Sequence, residues 1–511
     1  MHRALEILEI AEMVCCHLRP QGHCAGQTLA ALAASCRIWQ DPALDALWAT
    51  QDSLIPILSC MPQGLFNVEP SLPYFDSFRR MVRSLTLADW KRLSLYSHRV
   101  KDLSTSFESK MAEIYLILNL CLSPTALFPN LQTLSWDLNS EEEFPYIGRL
   151  ITYIRIFLTS TLSGIAFGYT PSITNCSLLS TLGRTCPHLT AVKITLTDDE
   201  DESDDSTEAT SLFLCSLPHI ESITVPRLEW TALKHIAQSH RLTSLSMDLL
   251  PDLSSLVSPP SPYTFAGLQH LQLEAAQVGE TLRLLQTGNY GYSVVEGMKL
   301  YTTLAVVCSP SSLIQLHIHL DGYYDTHDSA ESAINDSMIR SLFPFRKLVC
   351  LTLTSTALFV IHDNTMMDAA RAWPCLEELT LDFVSLPLVP PPSHLTLQSL
   401  CSLAQHCSRL RSLHITIDAT VLPPPPAIAI TPQRELTSMC IAHSAISQPR
   451  AVARLLSDIF PNFRHISASR RSSAMSVDMK ATYARWEEVV SLVPEFVAVR
   501  EEERARVQEG R

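Results

Sequence analysis

Residues 373–381 read Trp373-Pro374-Cys375-Leu376-Glu377-Glu378-Leu379-Thr380-Leu381, three leucines spaced L-x-x-L-x-L behind a tryptophan-proline break. The last two leucines enclose one polar residue, the alternation of a strand with a single buried face. The same apolar triplet recurs at Leu131/Leu134/Trp136, Leu162/Ile165/Phe167, Leu189/Val192/Ile194, Ile220/Ile223/Val225, Leu242/Leu245/Met247 and Leu268/Leu271/Leu273. It continues at Leu313/Leu316/Ile318, Leu348/Leu351/Leu353, Leu376/Leu379/Leu381, Leu410/Leu413/Ile415, Leu436/Met439/Ile441 and Phe463/Ile466/Ala468. Several units are entered through a short approach such as Thr185-Cys186-Pro187-His188-Leu189 or His406-Cys407-Ser408-Arg409-Leu410, which predicts a helix feeding a strand. Units lie about 22 to 35 residues apart, with one longer gap between Leu268 and Leu313. That spacing brackets the leucine-rich repeat. One such unit cannot bury its own apolar face, so neighbours must stack. The fold class predicted is an α/β repeat, a leucine-rich-repeat-like solenoid of short parallel strands alternating with helices.

The array is degenerate. The asparagine that usually closes the triplet survives only as Asn139, while Thr197, Asp321, Asp418 and Ser444 hold that place in other units. Acidic or proline-rich insertions at 197–210, 251–262, 387–392 and 423–426 read as solvated loops.

Composition narrows the function. The chain has 511 residues, 46% of them hydrophobic, enough for an extended repeat array. Only 14 glycines are present, which argues against glycine-rich nucleotide loops. A net charge of −14, with no Lys/Arg stripe, excludes a nucleic-acid partner. Fifteen cysteines occur without one C-x-x-C, so neither a zinc ribbon nor a disulfide framework is read from them. Reduced thiols in the cytoplasm and/or nucleus are expected. The start does not read as a signal peptide, because Glu6, Glu9 and Glu12 interrupt it. The longest apolar stretch, 114–122, is shorter than the roughly 20 residues a membrane helix requires, so no membrane is expected. No G-x-S-x-G, H-E-x-x-H, Walker-type loop or dinucleotide fingerprint is found, and neither catalysis, a metal nor a cofactor is expected.

Ahead of the repeats, Leu5, Leu8, Val14 and Leu18 mark an amphipathic helix over 4–18. A second apolar segment covers 29–39, and Asp41-Pro42 reads as the start of a third helix through Leu44, Leu47 and Trp48. These segments resemble the F-box family, particularly the F-box proteins of mushroom-forming fungi. The matching residues are Leu8-Glu9-Ile10 through His17-Leu18, then Leu32-Ala33-Ala34-Ser35-Cys36-Arg37-Ile38-Trp39, then Asp41-Pro42-Ala43-Leu44-Asp45-Ala46-Leu47-Trp48. Downstream, 85–93 and the closing Trp486-Glu487-Glu488-Val489 are also similar to that fungal family. Leu8 departs from it, standing where the family usually carries a proline before the acidic residue of helix one.

The resemblance implies a substrate-recognition subunit of a cullin–RING ubiquitin ligase: the F-box docks the small adaptor subunit and the repeats hold a target protein. The residues assigned to the adaptor are Leu5, Leu8, Ile10, Val14, Leu18, Leu32, Cys36 and Leu47, with Trp39 and Trp48 as aromatic anchors whose alternative role is the module's own core. The alternative is a leucine-rich-repeat scaffold outside the ubiquitin system, whose N-terminal helices cap the solenoid. The organisation expected is an F-box-like module over 1–60, a helical linker over 61–125, the solenoid over 126–469, and a polar segment with a C-terminal amphipathic helix over 470–511.

In such an array the residue between the last two apolar positions, and the one after them, point to the concave side. The target-binding candidates there are Lys193, Asp248, Gln272, Glu274, His317, His319, Thr352, Asp382 and His414. The two full rows hold four carboxylates against one lysine, which predicts a basic or polar target segment. His317, His319 and Asp321 share one strand face, and Arg470-Arg471-Ser472-Ser473 has the form of a basophilic phosphorylation site.

Overall fold

The computed structural model describes residues 7–18, 23–62, 64–68, 78–107, 111–122, 126–138, 151–169, 171–196, 204–248, 264–275, 294–320, 333–355, 358–383, 393–424, 432–441, 444–463, 465–467 and 477–509. The chain divides into two compact units, 1–232 and 233–511.

The first unit opens with three helices, α1 (Leu8–His17), α2 (His23–Ser35) and α3 (Arg37–Trp48). Behind them lie parallel strands Thr50–Gln51, Asp102–Phe107, Thr133–Leu138, Gly164–Tyr169, Ala191–Leu196 and Ser222–Val225, each paired with the next. The second unit carries strands Ser244–Met247, His270–Ala275, Gln315–Leu320, Cys350–Ser355, Glu378–Phe383, Ser412–His414, Ser438–Cys440 and His465–Ser467, again parallel and in chain order. All twelve triplets therefore carry a strand. One further rung precedes them, Val100/Leu103/Thr105, whose third member is a buried threonine rather than an apolar residue.

Register explains why the triplet has its form. Leu245, Leu271, Leu316, Leu351, Leu379, Leu413 and Met439 are aligned without a shift, and all are almost fully buried. Each removes a side chain from water, about 1.5–3 kcal/mol apiece before chain entropy is counted. Just ahead of each strand, two successive N–H groups converge on one carbonyl of the preceding repeat. Gln269 and His270 donate to Thr243, Ile314 and Gln315 to Gln269, Val349 and Cys350 to Ile314, and Glu377 and Glu378 to Val349. The same ladder runs through Lys101, Gln132, Ser163 and Thr190 of the first unit. It satisfies backbone groups that would otherwise be orphaned at the turn. Gly267 enters one such turn, and a Cβ there would stand 2.8 Å from the His240 carbonyl oxygen.

Helices fill the segments between strands. Their N-termini are capped by Ser172, Asn335 and Thr396 side chains, and Thr86 with Asp89 forms a full capping box on Leu87–Ser97. Adjacent repeats are also clamped at these ends. Asp336 accepts from the His362 backbone N–H at 3.0 Å, and Asp363 accepts from that of Thr396 at 2.8 Å. The C-terminal helix Val477–Glu509 packs against Pro449–Ile459 and against the last strand, with Trp486, Val489 and Val493 buried along one stripe. The Trp486 indole donates to the Ser444 carbonyl at 2.8 Å.

Three expectations are corrected. The third helix begins at Arg37, because Cys36 is extended (φ −160°, ψ 163°) and breaks the chain there; Pro42 lies inside it, on the buried face. The acidic run 197–210 is not wholly a loop: Asp204–Cys215 is a helix that places Asp205 in its first turn, where the helix dipole favours a carboxylate. Between Ser412–His414 and Ser438–Cys440 the described residues form no helix but a two-residue strand, Asp418–Ala419, paired with Ala445–Ile446. The insertions at 251–262 and 387–392, Asn139, Asp321 and 470–473 lie outside the described residues.

Candidate functional site

In the N-terminal module, Ala11, Cys15, Leu29, Trp39, Ala43 and Ala46 form one core, with Leu18, Leu32, Ala33, Cys36 and Leu47 packed against it. The spacing of the buried α1 residues, Ala11 and Cys15, uses one side of that helix. A second apolar stripe runs beside it through Ile7, Ile10 and Val14, three and four residues apart, with Met13 on its margin. Among the described residues it is left largely open: Ile7 is 46% exposed, Met13 58% and Val14 36%, Ile10 is half-buried, and Leu8, at the helix start, is 51% exposed.

The two tryptophans are used within the protein. Trp39 is 6% exposed and fills the module core. The Trp48 ring lies 5.0 Å from that of Tyr96. On the same side of α3, Asp41 and Asp45 both pair with Arg99, the former at 2.7 Å. So the outward edge of α3, at positions 41, 45 and 48, is fastened to the last turn of helix Leu87–Ser97, through Tyr96, and to Arg99 just beyond it. Of the residues assigned to an adaptor, Leu8 and Val14 are open, Ile10 is half-buried, Leu18, Leu32, Cys36 and Leu47 line the core, and Leu5 lies outside the described residues.

The strand positions named for a target do face outward. Lys193 in the first unit, and Gln272 and Glu274 in the second, are exposed; Asp248, His317, His319, Thr352, Asp382 and His414 are half-buried on the open face of the second unit's sheet. Register brings several of them together. Asp382 sits two residues beyond Thr380, which is opposite His414, and its Oδ1 lies 3.2 Å from His414 Nε2. His319 meets Thr354 on the next strand. His317 does not join it: its Nε2 lies 3.9 Å from the Cys350 thiol, which donates to Glu378 Oε2 at 3.5 Å. Burial holds the His317 imidazole below its usual value, against the pull of Glu378. Among the described residues no group of three or more His, Cys, Asp or Glu is placed to hold a metal ion.

Cys350, Glu378 and Cys440 were not among the sequence candidates. Cys350, which is buried, and Glu378 stand opposite each other two residues before Thr352 and Thr380, where the alternation that defines the first two rows continues. Cys440 already stands opposite His414 in the first row, placed there by strand register.

No helix among the described residues is long and apolar enough to cross a membrane. No family model matches the chain, and no curated protein matches it. Among solved structures the chain is similar to the crystal structure of the Rad7 and Elc1 complex in yeast, with 13% identity over 92% of both chains and a TM-score of 0.26.

Proposed function

We propose that the chain is a substrate receptor of a cullin–RING ubiquitin ligase, docking the adaptor through α1 and presenting a target protein on the repeats. The observation that carries this reading is the set of exposed apolar residues Ile7, Leu8, Met13 and Val14 on α1, flanking a three-helix module with a core of its own. A contiguous apolar helix face of this kind is stabilised by a partner that removes it from water. The resemblance of this module to the F-box supplies the partner: the small adaptor subunit. Such a receptor performs no bond chemistry. It holds a target lysine near the ubiquitin carrier and so raises its effective concentration.

The test is retention of the full chain on immobilised adaptor. Wild type is retained, and Leu8→Glu/Val14→Glu is not, while Leu120→Glu, on an exposed apolar position outside the module, behaves as wild type. Trp39 is unsuitable for this purpose, since its removal would empty the module core. Failure of wild type to bind would refute the receptor reading. The scaffold reading then stands, and it has its own support: the fastening of α3 by Arg99 and Tyr96 is what a capping module would require.

A further inference from the structure

After strand Ser412–His414 the chain alternates, and Ile415, Ile417 and Ala419 are each almost fully buried. That period would carry Val421 inside as well. Instead Val421 is 69% exposed, and Leu422 beside it 39%. Neither stands in a helix or a strand, and both lead directly into Pro423, half-buried, and Pro424, exposed. The sequence carries the prolines on through Pro425 and Pro426, which lie outside the described residues.

The point of emergence is fixed. Asp418 donates its N–H to the Leu395 carbonyl at 2.7 Å, Ala419 is paired with Ile446, and the Thr420 carbonyl accepts from the Ser447 hydroxyl at 2.7 Å. Thr420 turns back on Asp418, its N–H and hydroxyl donating to Oδ1 at 2.9 and 2.6 Å. Beyond Thr420 the pairing has no means to continue along the prolines. A proline has no N–H to extend a ladder, and a run of prolines does not continue as a helix.

What prolines favour is the polyproline II form. Each holds its own φ at roughly −65°. The residue before one, here Leu422, is pushed to extended angles. Such a segment keeps its backbone solvated and gives up little entropy on binding, which is how proline-rich peptides dock in grooves lined by aromatic rings. The surrounding charge narrows the kind of groove. From Ser412 to Gln433 there is no Lys or Arg, and Asp418 is the only carboxylate. A groove that sets an acidic pocket beside its aromatic slots therefore finds no cation here. A groove that takes an apolar anchor followed by prolines finds Leu422.

We propose that Val421–Pro424 is an interaction surface for a proline-binding domain of the EVH1 class, with Leu422 as the apolar anchor and Pro423 and Pro424 lying against the aromatic rings of the groove. The inference concerns the second unit alone and does not rest on adaptor docking.

The experiment titrates the immobilised full chain with a purified EVH1 domain, then displaces that domain with a proline-run peptide that occupies its groove. Saturable binding that the peptide displaces is expected. Leu422→Ala and Pro424→Ala are each expected to weaken it at least about tenfold, by loss of the anchor or of a groove contact. Both positions are exposed, so the thermal midpoint should stay with wild type. Pro391→Ala, in the separate run Pro390–Pro392, is expected to bind as wild type. Absence of displaceable binding by wild type overturns the proposal. So does binding that survives both Leu422→Ala and Pro424→Ala, or that is lost in Pro391→Ala. Purified SH3 and WW domains run alongside, and a chain that takes either as tightly as the EVH1 domain overturns the assignment of class. If Leu422→Ala lowers the thermal midpoint, Pro424→Ala decides.

Discussion

Replacing Asp363 by alanine tests whether the repeats are held in register by side-chain clamps as well as by the sheet. Asp363 opens helix Asp363–Ala372, and its carboxylate accepts from the Thr396 N–H at 2.8 Å, the Thr396 hydroxyl at 2.7 Å and the Ser399 hydroxyl. Thr396 is in turn the cap of helix Leu397–His406, its hydroxyl accepting from Gln398 N at 3.1 Å. Alanine leaves the Thr396 N–H without an acceptor, about 1–3 kcal/mol, and strips the fully buried Ser399 of its partner, about 1 kcal/mol more. These terms share one carboxylate and do not add fully, so about 2–4 kcal/mol is expected for the variant. Asparagine keeps the volume and one acceptor oxygen, which places Asp363→Asn between alanine and wild type. For a unit of this size that corresponds to a thermal midpoint lower by roughly 5–10 °C. Because repeat arrays need not unfold in one step, amide exchange at Thr396 and Gln398 supplies the local readout. A midpoint within about 1 °C of wild type, with Thr396 exchange unchanged, would refute the clamp.

Two further outcomes are expected. The Arg83 guanidinium, bidentate on Asp89 at 2.8 and 2.9 Å, together with the Thr86 N–H, holds that carboxyl well below the usual range. Its stabilising contribution is therefore complete above about pH 4 and disappears as pH falls further; Asp89→Asn should flatten the acid limb of a stability–pH curve, and an unchanged limb would count against the box. Trp486→Phe removes the indole donor to Ser444 and a part of the buried ring, and should cost about 1–2 kcal/mol, against about 3–5 kcal/mol for Trp486→Ala. A Trp486→Phe variant as stable as wild type in urea titrations would show that the hydrogen bond contributes nothing.

The strands were legible because each triplet records a burial requirement that every repeat must meet by itself. Val100/Leu103/Thr105 escaped because its third buried position is a threonine, and Thr50–Gln51 because two polar residues carry no period. At α3 the proline looked like a helix start; the break is set instead by the extended Cys36, and Pro42 is one of the buried residues of the helix, with Trp39, Ala43 and Ala46. The apolar surplus of α1 was visible as sequence. That Trp39 and Trp48 would be consumed inside the protein was not, since their partners, Leu29 and Tyr96, lie 10 and 48 residues away. Likewise Asp382 and His414 were each recognised as outward-facing, but their ion pair depends on strand register and rotamer, which no local pattern encodes.

The unshifted register of the second unit turns its open face into a ruler. Eight strands set rungs about 4.8 Å apart, so the row from Ser246 to Ser467 spans about 34 Å over seven steps. An extended peptide laid across it presents side chains of one face about every 6.7 Å, five steps in that distance. The two scales coincide only at the ends, like the marks of a vernier. An α-helical ligand, with a turn every 5.4 Å, drifts out of step by only about 0.6 Å per rung and stays in phase over several consecutive strands. The spacing itself therefore discriminates between shapes of ligand before any particular side chain is read.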